Sequence, residues 1–384
     1  MIVEERPFIH TDSLGGVAIP SVDDLLAMHA GSYVLHARDG ELTKVAVEKV
    51  QLPFDPKYHP QGGHVYMVSD DLIYAKQATL LCKSTDGGST WTASEIEESK
   101  SNWHVLTDGT FIRIDMEAYD AKGPAEVFNS TDEGQSWHKI AEIPIEVPGG
   151  YAVRHTHWGI SRLPDNTIFF GLDLRDENFS ADKYMTASSV LTFYRSVDGG
   201  RTWEGPIKGS ESSAEGGIAK LPSGRLLASI RYQRPAYSSE SPYMRKAMGS
   251  GDAFKHHFLI NSDDGGLTWY GLRPLTTVNG QTYGFPVSLS DGTVVVIHDA
   301  RYPRHLDVAR AMVSRDEGET WQDEVYYMYY GKGSTSYSRS VVLRDQTILT
   351  LAGTSTNPKA QISGRWSIGH SQMTAIRWRP IDLT

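Results

Sequence analysis

Runs rich in β-branched and aromatic residues, such as Leu191-Thr-Phe-Tyr194 and residues 308–313, are broken at short intervals by Gly, Asp, Asn and Ser. That rhythm predicts short strands joined by tight turns. The turns carry a repeat. Ser-x-Asp-x-Gly-x-x-Trp occurs five times, at residues 84–91, 130–137, 196–203, 262–269 and 314–321. Its chemistry suits a β-hairpin: the Asp accepts bonds from backbone N–H groups of the turn, the Gly takes φ > 0, and the Trp returns to the apolar layer. Calcium ligation would need more oxygens per turn than one box supplies, so the repeat reads as a fold-stabilising device.

A second signal alternates with the first: an apolar strand, a turn of Asp-Gly type, then another apolar strand. It appears at Leu106-Thr-Asp-Gly109, Leu163-Pro-Asp-Asn166, Leu221-Pro-Ser-Gly224, Leu289-Ser-Asp-Gly292 and Leu343-Arg-Asp-Gln346. Hairpin, loop, hairpin makes four antiparallel strands in roughly 45 to 65 residues, the size of a propeller blade. The expected fold class is all-β, a single β-propeller domain over residues 1–384 built of four-stranded antiparallel blades. Blade number turns on the N-terminal part. Four strand-like runs lie between Tyr33 and Gln77, and Val22-Asp-Asp-Leu25 and Val68-Ser-Asp-Asp-Leu72 both resemble the second signal. Counted as a separate blade, this part gives seven blades, the favoured number; counted as an insertion, it gives six. The last unit, from Ser336 onward, lacks the first box, and the run 2–9 is available as its outer strand, which would remove an exposed edge.

In a propeller the start of strand one and the end of strand two of every blade converge on the central channel. The strand-one starts carry His64, His104, His155 with His157, Glu215, Tyr283, and Tyr337 with Arg339. The strand-two ends carry Asp173 with Arg175, Arg231, and Asp299 with Arg301. Three consecutive blades thus end strand two in Arg. Guanidinium forks converging on one cavity match a carboxylate or sulfate and imply an anionic ligand. The alternative is that each pairs with a neighbouring carboxylate, Asp173 or Asp299, to bridge blades. Arg154-His-Thr-His-Trp158 puts His155 and His157 on one side of a strand by period-two alternation. Two ligands fall short of a zinc site, and neither metal nor cofactor is expected.

Composition narrows the partners. Across 384 residues, 37 Lys plus Arg against 47 Asp plus Glu give a net charge of −10, which argues against nucleic acid or an anionic membrane surface. One cysteine, Cys82, allows no internal disulfide, so a reduced compartment is favoured. The start lacks a basic region followed by an apolar one, and no 18 consecutive apolar residues occur; the expectation is a soluble, cytoplasmic protein.

The boxes resemble the Asp boxes of the sialidase (neuraminidase) superfamily, over most of the chain from about residue 80 onward. Two segments extend the likeness. Ala214-Glu-Gly-Gly-Ile-Ala-Lys-Leu-Pro-Ser-Gly-Arg-Leu-Leu-Ala-Ser-Ile-Arg231 resembles the sialidase segment with the glutamate partner of the nucleophile and the second arginine of a carboxylate-binding triad, which implies Glu215 and Arg231. Ser336-Tyr337-Ser338 resembles the segment of the nucleophilic tyrosine, implying Tyr337, and the third triad arginine would be Arg301 or Arg304. The chain departs from the pattern at Ala18-Ile19-Pro20, where sialidases have Arg-Ile-Pro, and the acid/base aspartate has no clear counterpart among Asp39, Asp55, Asp70 and Asp71.

The resemblance implies a sialidase-like hydrolase that removes a terminal acidic sugar from a glycan. Tyr337 would attack with help from Glu215 while arginines hold the acid group, a known exception to the two-carboxylate rule. One alternative is a uronate lyase, in which His155, His157 and a tyrosine act as base and acid once an arginine has neutralised the carboxylate. Another is a non-catalytic glycan-binding propeller, its aromatic residues stacking on sugar faces. Phe254-Lys-His-His-Phe258 reads as strand or rim, and Arg245 and Lys246 fall in a long loop that would lie over the cavity.

Overall fold

The computed structural model describes residues 17–54, 64–77, 79–96, 102–116, 123–176, 189–235, 253–275, 281–300, 308–321, 324–330, 338–355 and 371–382. One helix, α1 (Val22–Ala30), precedes β1 (Tyr33–Arg38), β2 (Glu41–Ala46) and β3 (Glu48–Gln51). Then come β4 (His64–Met67), β5 (Ile73–Gln77), β6 (Leu80–Ser84), β7 (Thr92–Glu95), β8 (Asn102–Val105), β9 (Phe111–Asp115), β10 (Ala125–Ser130) and β11 (His138–Ile143). They are followed by β12 (Tyr151–Arg162), β13 (Ile168–Asp176), β14 (Ser189–Ser196), β15 (Glu204–Glu211), β16 (Ser213–Lys220), β17 (Leu226–Pro235), β18 (Ala253–Ser262) and β19 (Tyr270–Pro274). The chain ends with β20 (Gln281–Ser288), β21 (Val294–Ala300), β22 (Val308–Ser314), β23 (Val325–Tyr330), β24 (Arg339–Val342), β25 (Ile348–Ser355) and β26 (Ser371–Trp378). No described helix is long and apolar enough to cross a membrane.

The chain divides into two compact units, Met1–Glu95 with Leu275–Thr384, and Ile96–Pro274. The second unit holds three antiparallel meanders, β8–β11, β12–β15 and β16–β19. The first holds β4–β7, β20–β23 and β24–β26 with β3. All six are four-stranded antiparallel blades, and the fold is an all-β β-propeller with six blades, not the seven expected.

The reason lies in the N-terminal segment, whose strand-like runs belong to different blades. Val22-Asp-Asp-Leu25 is the first turn of α1 rather than a hairpin turn. The Ser21 hydroxyl accepts the Asp24 N–H at 3.1 Å and Asp24 accepts the Ser21 N–H at 3.0 Å, a capping box. At the other end Lys49 Nζ donates to the carbonyls of Met28 and Gly31, each at 2.7 Å, which satisfies groups that the helix leaves open. Leu25 and Met28, one turn apart, are fully buried. The β1–β2 hairpin extends an existing blade, pairing Leu35 with Tyr327 on β23. Strand β3 completes the last blade, pairing Val50 with Ala375. That outer position thus goes to 48–51; the run 2–9 lies outside the described residues.

Both repeated turns form as the sequence predicts. In the box of the third blade Ser196 Oγ donates to Asp198 and accepts from the Gly200 N–H, while Asp198 accepts from the N–H and hydroxyl of Thr202. The other four boxes have the same serine–aspartate bond, at 2.7–2.8 Å. The aspartates titrate below the usual range as a result, at about 2 for Asp86, Asp132, Asp198 and Asp264. The boxes also join blades. Trp269 packs on Phe169 and Phe193 of the preceding blade, and Arg377 donates to the Gly87 carbonyl and Ser89 of the next. The second kind of turn closes with a Leu163 N–H to Thr167 carbonyl bond and its equivalents. Where an amide side chain replaces glycine at the left-handed position, it reaches a neighbouring blade: Asn166 bonds to Thr107 and Gln346 to the Ser290 N–H.

Candidate functional site

In each of three blades the pairing of the two inner strands slips near a residue that the sequence singles out. Along β12, register shifts flank His155, which is opposite Asp173 on β13. Between Ser213 and Gly216 of β16 the register shifts across Glu215, with Tyr232 and Ile230 as the flanking partners on β17. Between Thr282 and Phe285 of β20 it shifts across Tyr283, next to Asp299 on β21. A bulge inserts residues on one strand and re-aims side chains, and such bulges are common beside active sites.

Within the second unit the slipped strands carry a buried network of four charges. Arg231, midway along β17, lies 2.7 Å from Glu215 through its Nη1, and each side chain is 2% exposed. On β13, residues 173 and 175 share a face, and Arg175 Nε donates to Asp173 Oδ2 at 2.8 Å. Asp173 and Arg175 are likewise buried. The other carboxyl oxygen of Asp173, Oδ1, has no hydrogen-bond partner among the described residues. Burial pushes the Asp173 carboxyl up to about 6; Arg175 and Arg231 pull against that rise and Glu215 adds to it. The two ion pairs are therefore one electrostatic system.

Behind this network β17 and β18 are polar on the side of Arg231. His257 is the cross-strand partner of Arg231, and its Nε2 lies 2.6 Å from Ser229 Oγ. Burial and the adjacent His256 push the His257 imidazole down to about 3, so it is neutral in the working range.

Other residues singled out by the sequence stand elsewhere. In the first unit Arg339 lies over the Phe285 ring, 4.6 Å from its centroid, and opposes the rise that burial imposes on the Tyr66 phenol. Ser338 bonds to the Tyr329 hydroxyl. Tyr337, Arg301 and Arg304 lie outside the described residues, as do Arg245 and Lys246 and the side chains of His155, His157, Tyr283 and Asp299. Among the described residues no group of three His, Cys, Asp or Glu could hold a metal ion.

The sequence reading passed over two features. Asp173 appeared only as a neighbour to Arg175; its pairing opposite the bulged His155 is a tertiary fact with no local signal. Glu324, fully buried, accepts bonds from Arg315 Nη2 at 3.0 Å and the Tyr326 hydroxyl at 2.9 Å and lies 3.3 Å from His36 Nε2. That cluster fastens β1 to β23, and the Ile381 N–H donates to the Tyr326 hydroxyl at 2.9 Å, so its role is structural.

The chain matches no protein-family model and no curated protein. Solved structures do resemble it. An α-L-arabinofuranosidase of Fusarium graminearum in complex with an iminosugar inhibitor superposes with a TM-score of 0.56 at 13% identity, covering 86% of this chain and 97% of that one. A Penicillium chrysogenum α-L-arabinanase complexed with arabinobiose gives 0.56 at 12% identity, over 86% and 98%. Trypanosoma rangeli sialidase with the inhibitor DANA gives 0.55 at 13% identity, over 86% of this chain and 59% of that one. At these identities the likeness is one of fold: this chain has the sialidase-like β-propeller fold in a divergent form.

Proposed function

We propose that this protein is a glycoside hydrolase that releases a terminal, acidic sugar from a glycan, with Glu215 and Arg231 at the centre of its site. The observation that carries the reading is the buried Glu215–Arg231 pair, set on a bulged inner strand and electrostatically coupled to Asp173–Arg175. Four charges are seldom withdrawn from water for stability alone, since well-packed apolar residues of similar volume are often as stable; the raised Asp173 carboxyl within the network favours chemistry. Structural neighbours described as arabinofuranosidase, arabinanase and sialidase support sugar hydrolysis as the reaction class.

In this reading Glu215 activates the attacking group, which the resemblance assigns to Tyr337, and Arg231 holds the glutamate in place. Arg175 and Arg231 would share their guanidiniums with the acid group of the sugar. Elimination from a uronate by His155 and His157 is the rival.

One incubation separates the readings. The protein is mixed with a panel of acidic and neutral oligosaccharides while reducing ends and the ultraviolet absorbance of an unsaturated uronate are followed together. Release of reducing sugar without the absorbance, greatest for acidic sugars, is expected. A rise in absorbance would replace hydrolysis by elimination, and a silent panel would leave glycan binding.

A further inference from the structure

Hydrolysis of a glycoside needs an acid to protonate the departing oxygen, and the sequence offers four aspartates for it without choosing. The structure sets three of them apart. Asp39 is in the β1–β2 turn, 84% exposed and 3.2 Å from Arg38. Asp70 accepts the Arg344 N–H at 3.0 Å in the β4–β5 turn, and Asp71 is exposed in that turn. That turn is at the far end of β4 from His64. Asp55 lies outside the described residues.

We propose that Asp173 is the proton donor to the departing glycosidic oxygen, an inference that rests on the glycoside-hydrolase reading above. Asp173 stands near the end of β13 that the propeller plan assigns to the channel, opposite His155 across a bulge. Only its Oδ2 is engaged by Arg175, so Oδ1 is the oxygen that carries and gives up the proton. The groups around it are Arg175 on its own strand, Glu215 on β16, Arg231 on β17, Leu191 opposite on β14, and the His155 backbone on β12. Burial holds the carboxyl far enough up to keep part of it protonated near neutrality, and the two guanidiniums stop it from rising further. A general acid works best with a pKa near the operating pH. Two carboxyls in unlike settings, Asp173 with one buried oxygen that has no hydrogen-bond partner among the described residues and Glu215 tied to Arg231, divide acid and base work as other glycosidase pairs do.

In the step itself the Asp173 Oδ1–H proton moves to the glycosidic oxygen as the bond from that oxygen to the anomeric carbon breaks. The bonding electron pair leaves with the oxygen, which departs as an alcohol. The attacking group, deprotonated through Glu215, bonds to the anomeric carbon as the alcohol leaves. Water then displaces it, leaving its hydroxide on that carbon and passing its proton to the Asp173 carboxylate, which restores the acid. The released attacking group takes back the proton held by Glu215.

The test compares phenyl and dinitrophenyl glycosides of N-acetylneuraminic acid and of L-arabinofuranose. Dinitrophenolate leaves without a proton, and phenolate does not. Asp173→Asn should lower kcat/KM for the phenyl glycoside about 10²- to 10⁴-fold and for the dinitrophenyl glycoside less than about 10-fold. An equal loss on both would overturn the proposal. Asp173→Glu, which keeps a carboxyl at altered reach, serves should the amide variant unfold, and its loss must also be larger for phenyl. Glu215→Gln should lose activity on both leaving groups alike. If the unaltered protein cleaves none of these glycosides or the oligosaccharide panel, the hydrolase reading itself fails, an outcome distinct from any pattern among the variants.

Discussion

Arg231 and Glu215 face each other at 2.7 Å from adjacent strands, each 98% withdrawn from water, in a pair coupled to a second Arg–carboxylate pair on the neighbouring blade. Removing one partner leaves a buried charge without its counter-charge. Arg231→Met should destabilise the protein by about 3–5 kcal/mol in denaturant unfolding, and the double variant Arg231→Met with Glu215→Leu should recover most of that loss. Additive losses would mean that the two side chains do not act as a pair.

Asp173 sets a pH signature on stability. Its folded carboxyl titrates at about 6, above the ordinary carboxylate value of 3.8. Between those values the folded state holds a proton that the unfolded chain has released, so the contribution of Asp173 to stability falls as pH rises through that window. Denaturant midpoints of the protein and of Asp173→Asn, measured across the window, should converge in slope with the other carboxylates once Asp173 is subtracted. A difference between the two proteins that does not vary with pH would contradict the raised carboxyl.

The box aspartates act in the opposite sense. Asp86, Asp132, Asp198 and Asp264 titrate at about 2, below the unfolded value. Their contribution is complete above about pH 4 and disappears as pH falls towards 2. Asp86 and Asp264 are exposed and Asp132 and Asp198 half-exposed, so each gives little, and acid unfolding followed by circular dichroism should be broad. Replacing all four by Asn should flatten the acid limb.

Two glycines separate conformation from crowding. Gly224 at φ +91 has open space where a Cβ would go, whereas at Gly266, φ +94, a Cβ would lie 2.4 Å from Phe169 Cζ. Gly224→Ala should cost about 1–2 kcal/mol, the left-handed penalty alone. Gly266→Ala should cost more by an overpacking term of about 1–3 kcal/mol. Equal losses in thermal unfolding would mean that the box does not press on the preceding blade.

The blades were legible because their turns are written in local chemistry: Ser196, Asp198, Gly200 and Trp203 bond to one another or to residues nearby in the chain. Blade count was not, because Leu35 pairs with Tyr327 and Val50 with Ala375 across some 290 and 325 residues, and no short motif encodes such pairings. Val22–Ala30 misled for a related reason: an Asp-Asp pair suits a turn and the first turn of a helix equally, and only Ser21 before it decides. In the site, Glu215 and Arg231 were readable as a motif, while the weight of Asp173 arises from burial among charges on three strands.

The central claim is that Glu215 works on a glycosidic bond. Its most direct test is the rate at which the unaltered protein and Glu215→Gln release reducing sugar from the best substrate of the oligosaccharide panel, with matched folding by circular dichroism. The account predicts a loss of about 10²- to 10⁴-fold in kcat for the amide variant. Unchanged turnover with the variant would contradict it.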